Sequence, residues 1–363
     1  MRKMIYAMAV LCLSCTACQQ KAGYTINGTV DGIADGDTVY LQDFQGRQLI
    51  KKDSAIVKGG TFKFTGEQPT PVYRYITYIK GDKQYVADLF LENGKINVKL
   101  GEETTVGGTT NNDVYQKFTT DFVAAQKEMN EFYQAIQKDT TLNDEQRQAK
   151  LNELDAKEQK AMDMIYNTID QNITNAVGIH LLPNYAYAFS EEKQQALVEK
   201  VPAEMMNDQI QRLKDHLDLV AKTAVGKKFI DFEMKTPEGK DVKLSDFVSK
   251  NKYTLVDFWA SWCGPCRQEM PNVVAAYKTF KPKGFEIVGV SLDRDAEAWK
   301  KGIAELGITW PQMSDVKYWE CEAAKLYGVN AIPATVLIDQ EGTIVERNLR
   351  GEALAKRLAE LFQ

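Results

Sequence analysis

Five residues, Trp262-Cys263-Gly264-Pro265-Cys266, constrain this 363-residue chain more than any other stretch. They stand between an unbroken apolar run from Tyr253 to Trp259 and a segment of helical spacing from Gly264 to Phe280. Such a run is expected of a strand buried on both faces, so the five residues mark a strand-to-helix junction. Two cysteines three residues apart in a first helical turn lie on nearly one face and can bond and re-bond with little backbone movement. Unpaired N–H groups and the helix dipole favour a thiolate at Cys263. Thiols in such places have pKa values of about 3.5–7.5. Pro265 suits the turn because its missing N–H would be unpaired there.

The same α/β pattern continues to the C-terminus. Phe285 to Leu292 reads as a second buried strand. Asp295 to Leu306 reads as a helix with Trp299, Ile303 and Leu306 on one face and Gly307 as its stop. Ala334 to Asp339 is a third strand, Thr343 to Arg347 follows a turn, and Glu352 to Phe362 closes as a helix. Cys321 falls on a short helix, Trp319 to Tyr327, and is expected to be a buried free thiol.

Phe258-Trp-Ala-Ser-Trp-Cys-Gly-Pro-Cys266 resembles the thioredoxin active site. Three separated positions agree with it. Pro271 matches the proline that kinks the active-site helix, Asp257 the buried carboxylate, and Ile332-Pro333 the cis-proline that faces the disulfide. The Val288-Gly-Val-Ser-Leu-Asp293 insert and the Trp299 helix resemble the TlpA/ResA branch of extracytoplasmic, membrane-tethered thiol–disulfide oxidoreductases. Glu269 matches a carboxylate which that branch places near its cysteines. Where thioredoxin pairs its buried Asp with a lysine on the next strand, this sequence has Gly289.

The resemblance implies an α/β thioredoxin-like domain over 223–363 and a Cys263–Cys266 redox disulfide. Cys263 would attack a protein disulfide and Cys266 would resolve the mixed disulfide. Asp257, with help from Glu269, would take the Cys266 proton. Trp262, Gly264, Pro265, Ile332 and Pro333 would form the substrate groove, and no cofactor beyond the disulfide is required. Gly264-Pro265 is the thioredoxin dipeptide, so the expected direction is reduction of protein substrates, with a membrane or periplasmic electron donor restoring the dithiol. A peroxiredoxin-like peroxide reductase is the alternative enzyme. The peroxiredoxin Pro-X-X-X-Thr-X-X-Cys pattern is missing, because Ala260-Ser261-Trp262 precede Cys263. A zinc site would need two more ligands, and only Cys321, His180 and His216 remain.

The N-terminus reads as a targeting segment. Arg2 and Lys3 precede an apolar run from Met4 to Leu13, the length of a signal-peptide core and too short to span a bilayer. Thr16-Ala17-Cys18 resembles a bacterial lipoprotein signal, with lipidation at Cys18; Cys15 is the runner-up. The expected location is the cell envelope, lipid-anchored and facing the periplasm. Gln19 is not the Asp that retains lipoproteins at the inner membrane, which points to the outer one. The expected ranges are a signal peptide over 1–17 and a tether over 18–23.

Residues 24–104 read as a small antiparallel β-sandwich, with short alternating runs parted by Asp35-Gly36, Gly59-Gly60, Gly81-Asp82 and Asn93-Gly94. Residues 105–222 read as a helical linker, two long helices broken at Asp139 to Asn143. This region supplies no evident chemistry, so the non-enzymatic alternative makes it a partner-binding module with the redox domain as effector. Lys and Arg number 45 against 50 Asp and Glu, leaving a net charge of −5. No basic field is available for nucleic acid, and none is expected as a partner.

Overall fold

The computed structural model describes residues 23–363 apart from Asp31 and Arg47. Cys18, Cys15 and the targeting segment lie outside the described residues. The chain divides into two compact units, the first ending at Met206 and the second running from Asn207 to Gln363.

The first unit opens with β1 (Tyr24–Val30), β2 (Thr38–Gln45), β3 (Gln48–Ile56), β4 (Thr61–Gly66), β5 (Val72–Lys80), β6 (Lys83–Leu91), β7 (Gly94–Leu100) and β8 (Thr105–Gly107). They form two four-stranded sheets, ordered β4-β1-β7-β8 and β3-β2-β5-β6. Ile26, Ile96 and Val98 from one sheet share a core with Val39, Leu41, Ile76 and Leu89 from the other. Each such side chain contributes roughly 1.5–3 kcal/mol when fully buried.

Three expectations need correction here. The sandwich is not wholly antiparallel, because β1 and β7 pair in parallel. Period-two alternation is the same for either direction and cannot distinguish them. The strand β3 escaped sequence reading because it is exposed along almost its whole length and shows no alternation. The sheet runs past the expected 104/105 boundary, because β8 pairs with β7.

Helices follow: α1 (Thr110–Lys138), α2 (Asp144–Asn172), α3 (Ala176–Tyr185) and α4 (Glu191–Val198). The break between the two long helices falls where the pattern breaks. Asn143 caps α2 there, accepting from the Gln146 N–H at 2.8 Å while the Gln146 side chain accepts from the Asn143 N–H at 3.1 Å. Leu154, Ala161, Ile165 and Ile169 form the buried stripe of α2. His180 stacks on Tyr73 at 3.9 Å, and burial pushes its imidazole below the usual range.

The second unit begins with α5 (Asp208–Lys222), ahead of the expected 222/223 boundary. Periodicity gave no cue, since α5 continues the helical pattern of the linker. Two close approaches tie it to the C-terminal unit: Gly328, at φ +61°, faces Val220, and the Arg347 guanidinium donates to the Thr223 carbonyl at 2.8 Å. Next come β9 (Glu233–Lys235), β10 (Asp241–Lys243), α6 (Ser245–Val248), β11 (Tyr253–Trp259), α7 (Gly264–Phe280), β12 (Phe285–Ser291) and α8 (Ala296–Glu305). Then β13 (Gln312–Met313), α9 (Glu322–Leu326), β14 (Ala334–Asp339), β15 (Ile344–Arg347) and α10 (Gly351–Leu361) complete the chain.

The central sheet is ordered β13-β12-β11-β14-β15. The strand β11 runs parallel to β12 and antiparallel to β14. Helix α7 connects β11 to β12 and buries Cys266, Met270, Val273, Ala276 and Phe280, spaced three or four apart. Pro271 lies inside it and cannot donate to the carbonyl four residues back. Among the described residues no helix is long and apolar enough to cross a membrane.

Candidate active site

The end of β11 delivers the chain directly into the start of α7. Cys263 is the N-cap residue, and its Sγ accepts from the Cys266 backbone N–H at 3.1 Å. The two cysteines are joined, with S–S 2.05 Å and Cα atoms 5.3 Å apart. Cys263 is 4% exposed and Cys266 1%, so only the first shows an edge to solvent. Gly264 and Pro265 between them are exposed. When the bond opens, the Cys266 N–H and the helix terminus remain to stabilise a thiolate on Cys263.

Ile332-Pro333 is a cis peptide, and the Ile332 carbonyl oxygen lies 3.6 Å from the Cys263 Sγ. A backbone segment held this close to the sulfur can pair with an extended chain. Trp262 is 45% exposed at the rim. Its ring meets Tyr318 at 5.1 Å and Trp319 at 6.2 Å, and the Arg294 guanidinium lies 5.1 Å over Tyr318. Val316 and Tyr318 both hold φ of +58°, which turns this loop toward Trp262. Non-glycine residues are uncommon in that region and bear strain there, β-branched valine most of all.

Behind the disulfide, Asp257 stands on β11 opposite Gly289 of β12 and Thr335 of β14. It is 3% exposed, and its Oδ2 has no hydrogen-bond partner. Burial, and next the Glu269 carboxylate, push its pKa up to about 7, while Arg350 pulls the other way. Glu269 is half-buried: its Oε1 accepts from the Gly351 N–H at 2.6 Å and its Oε2 from the Asn272 amide at 3.2 Å.

The Gly289 departure has a physical reason. A Cβ at this position would stand 2.0 Å from the Gln312 side chain. That amide fills the space and accepts from the Trp259 indole N–H at 2.9 Å. No lysine fits at 289 while Gln312 lies there.

Several contributors left little or no mark in the sequence. Asp293 is buried and accepts from the Ser261 N–H at 3.0 Å, the Ser261 hydroxyl at 2.6 Å and the Ser291 hydroxyl at 2.8 Å. It thus fixes the turn that leads into Cys263. Ser314 donates to the Ser291 carbonyl at 2.8 Å and accepts from the Val316 N–H at 3.0 Å, which ties the Tyr318 loop to the same network. Arg350 donates to the Pro333 carbonyl. The Val288-to-Asp293 motif hinted at Asp293; nothing marked Tyr318, Trp319 or Arg350.

Cys321 follows a 3₁₀ turn, Tyr318–Glu320, and precedes α9, so the expected single short helix is two pieces. Burial pushes its thiol up to about 11, which suppresses the thiolate. Among the described residues no group of three or more His, Cys, Asp or Glu is placed to hold a metal ion.

Residues 225–347 match the AhpC/TSA family, and residues 24–115 match a domain of unknown function designated DUF4369. Over 142 residues the chain is 33% identical to the thiol-disulfide oxidoreductase ResA of Bacillus thuringiensis subsp. konkukian, covering 39% of this chain and 79% of that protein. ResA of Bacillus subtilis is 34% identical over 116 residues, 32% of this chain and 62% of that protein. A crystal structure of the thioredoxin domain of a thiol-disulfide oxidoreductase from Bacteroides vulgatus is 38% identical, covering 39% of this chain and 99% of that one, with a TM-score of 0.36.

Proposed function

The chain belongs to the ResA-related thiol–disulfide oxidoreductases, and on that premise we propose that it reduces disulfides of extracytoplasmic protein substrates through the Cys263–Cys266 pair. One observation carries the reading: the Cys263 sulfur sits at a helix N-terminus, receives the Cys266 N–H and lies beside the carbonyl that precedes a cis-proline.

The reduced dithiol starts the cycle. The Cys263 thiolate attacks one sulfur of a substrate disulfide, forms a mixed disulfide and expels the other substrate thiolate. Cys266 then loses its proton to Asp257 and attacks the Cys263 sulfur. The Cys263–Cys266 bond re-forms and the second substrate thiolate leaves. Two electrons pass from the dithiol to the substrate, and a thiol-class donor in the envelope returns them. Ile332, Pro333, Trp262 and the Gly264-Pro265 turn line the path of the substrate segment. Peroxide chemistry finds less support, since the Ser261 hydroxyl near Cys263 is committed to Asp293.

Direction follows from the charges around the pair. Strong oxidants over-stabilise the reduced thiolate. Here Asp257 and Glu269 are the nearby acids, and no histidine stands between the cysteines. Equilibrating the full chain with glutathione buffers is expected to give a potential near that of thioredoxin, about −270 mV. A value above about −180 mV, the level of protein disulfide isomerase, overturns the reductase direction.

We place the protein at the envelope membrane, held by lipid on Cys18, on the strength of the Thr16-Ala17-Cys18 resemblance. One acyl chain binds a membrane only marginally, so stable anchoring takes the several that a lipoprotein carries. Mass spectrometry of the mature N-terminus is expected to find a lipidated Cys18. An unmodified start downstream of residue 18 removes the anchor from the account.

A further inference from the structure

We propose that Arg294 selects clients carrying an acidic side chain close in sequence to the cysteine that Cys263 attacks, through the N–H edge of a guanidinium laid on the Tyr318 ring. The inference rests on the reading above, in which Cys263 forms a mixed disulfide with a protein substrate.

The backbone fixes where Arg294 stands. Just before it, the buried Asp293 carboxylate is held by the Ser261 N–H and by the Ser261 and Ser291 hydroxyls. Just after it, Asp295 caps α8, accepting from the Ala298 N–H at 2.6 Å. Arg294 is the exposed residue between these two anchors, and its guanidinium lies 5.1 Å from the centre of the Tyr318 ring. That ring is 5.1 Å from the ring of Trp262, the residue next to the attacking cysteine. The cation thus stands no more than two ring steps from Trp262. An extended segment rises about 3.3 Å per residue, so roughly three or four client residues cover the distance.

The guanidinium is also uncommitted. Arg267, Arg347, Arg350 and Arg357 each donate to a protein oxygen. Among the described residues Arg294 has no such acceptor and pairs with no carboxylate; its contact is with the Tyr318 ring. The acids nearby are occupied elsewhere. Asp315 accepts from the Lys317 and Glu322 N–H groups, and Glu320 is paired with Lys325. A guanidinium lying on an aromatic face keeps its edge free, and that planar fork matches a carboxylate through two parallel N–H bonds. It carries no acceptor, so a basic or merely apolar client side chain gains nothing from it.

The test uses the full chain, reduced, and short peptides with one cysteine activated as its 2-thiopyridyl disulfide. Cys263 attacks the peptide sulfur, and the probe's S–S bond breaks. Pyridine-2-thione leaves with the electron pair and takes up a proton. Cys266 then frees the peptide thiol as the Cys263–Cys266 bond forms. Stopped-flow absorbance of the released thione gives the rate of attack. The peptides carry Glu, Gln or Lys at one position, three residues before or three after the cysteine. The leaving group is common to all, and comparing the Glu-to-Gln rate ratio between proteins cancels each peptide's own reactivity.

The wild type is expected to favour Glu in one placement, and Arg294→Gln to lower that ratio about fivefold, the upper end for an exposed ion pair. Arg294→Glu should pass the preference to the Lys peptide. At about 1 M salt, where the screening length is about 3 Å, the wild-type ratio should approach that of Arg294→Gln. Equal ratios in wild type and Arg294→Gln in both placements overturn the inference, as does an Arg294→Glu protein that still favours Glu. If the variants do not fold, the wild-type salt series decides: a preference lost at high salt supports the inference and one unmoved by salt overturns it. No thione from any peptide is a different failure. It would sink the dithiol reading itself.

Discussion

Replacing Cys266 with serine is expected to stop turnover and leave the protein covalently joined to its substrates. The substitution removes the resolving sulfur but spares what activates the other one. Cys263 keeps its place at the N-cap of α7, and the N–H that reaches its Sγ at 3.1 Å belongs to the backbone of residue 266, which serine also supplies. The first exchange therefore proceeds and the second cannot. Adducts should accumulate on non-reducing gels, and their masses identify the partners. Multiple-turnover reduction of a protein disulfide should fall to the detection limit. Cys263→Ser should form no adducts, because an alcohol at this position is not ionised at neutral pH. Equal adduct yields from the two variants, or wild-type turnover by Cys266→Ser, would falsify the assignment of roles.

Asp257→Asn is expected to give a more stable and slower protein. Asp257 has a folded-state pKa of about 7 against an ordinary carboxyl value of 3.8. The folded protein therefore binds the proton more tightly than the unfolded chain does. Stability is fully present below about pH 4 and is lost as pH rises toward about 7. The difference of about three units corresponds to roughly 4 kcal/mol. Asparagine does not titrate and escapes this loss, so the variant should gain up to roughly 4 kcal/mol over wild type above pH 7 and almost none of it below pH 4. Urea melts of the oxidised protein at pH 4 and pH 8 measure both ends. The same substitution removes the acceptor for the Cys266 proton, and resolution should slow by about 10²-fold at neutral pH, typical of a lost general base. A stability gain that does not depend on pH would show that desolvation of the carboxylate is not its cause.

What the sequence disclosed divides along a physical line. The strands β11, β12 and β14 are buried on both faces and so are written as continuous apolar runs. The Cys-Gly-Pro-Cys turn is local, and its chemistry depends on spacing alone. Both were legible. Arg350 was not, because its partner is the Pro333 carbonyl, and a backbone oxygen has no sequence signature. Gln312 was not, because it matters only as the occupant of space that Gly289 leaves open. The parallel pairing of β1 with β7 was hidden for another reason. Alternation reports which face of a strand is buried, and direction leaves no trace in it. The ring group of Trp262, Tyr318 and Trp319 brings together residues more than 50 positions apart through a loop with two left-handed residues that are not glycine. Ordinary turn signals do not point to valine and tyrosine there.

The carboxylate of Asp293 has a thermodynamic consequence for association. It grips the turn before Cys263 and, through Ser291 and Ser314, the loop that carries Tyr318. The rings of Trp262, Tyr318 and Trp319 are thus arranged against one another before any client arrives. Ordering a mobile side chain on binding costs about 0.5–1.5 kcal/mol, so three rings already in place spare roughly 1.5–4.5 kcal/mol of entropy loss. Nearly all of the remaining ordering falls on the client. Clients then differ in affinity by how much freedom their own cysteine-bearing segment surrenders, and that difference is expressed chiefly in how long each one stays.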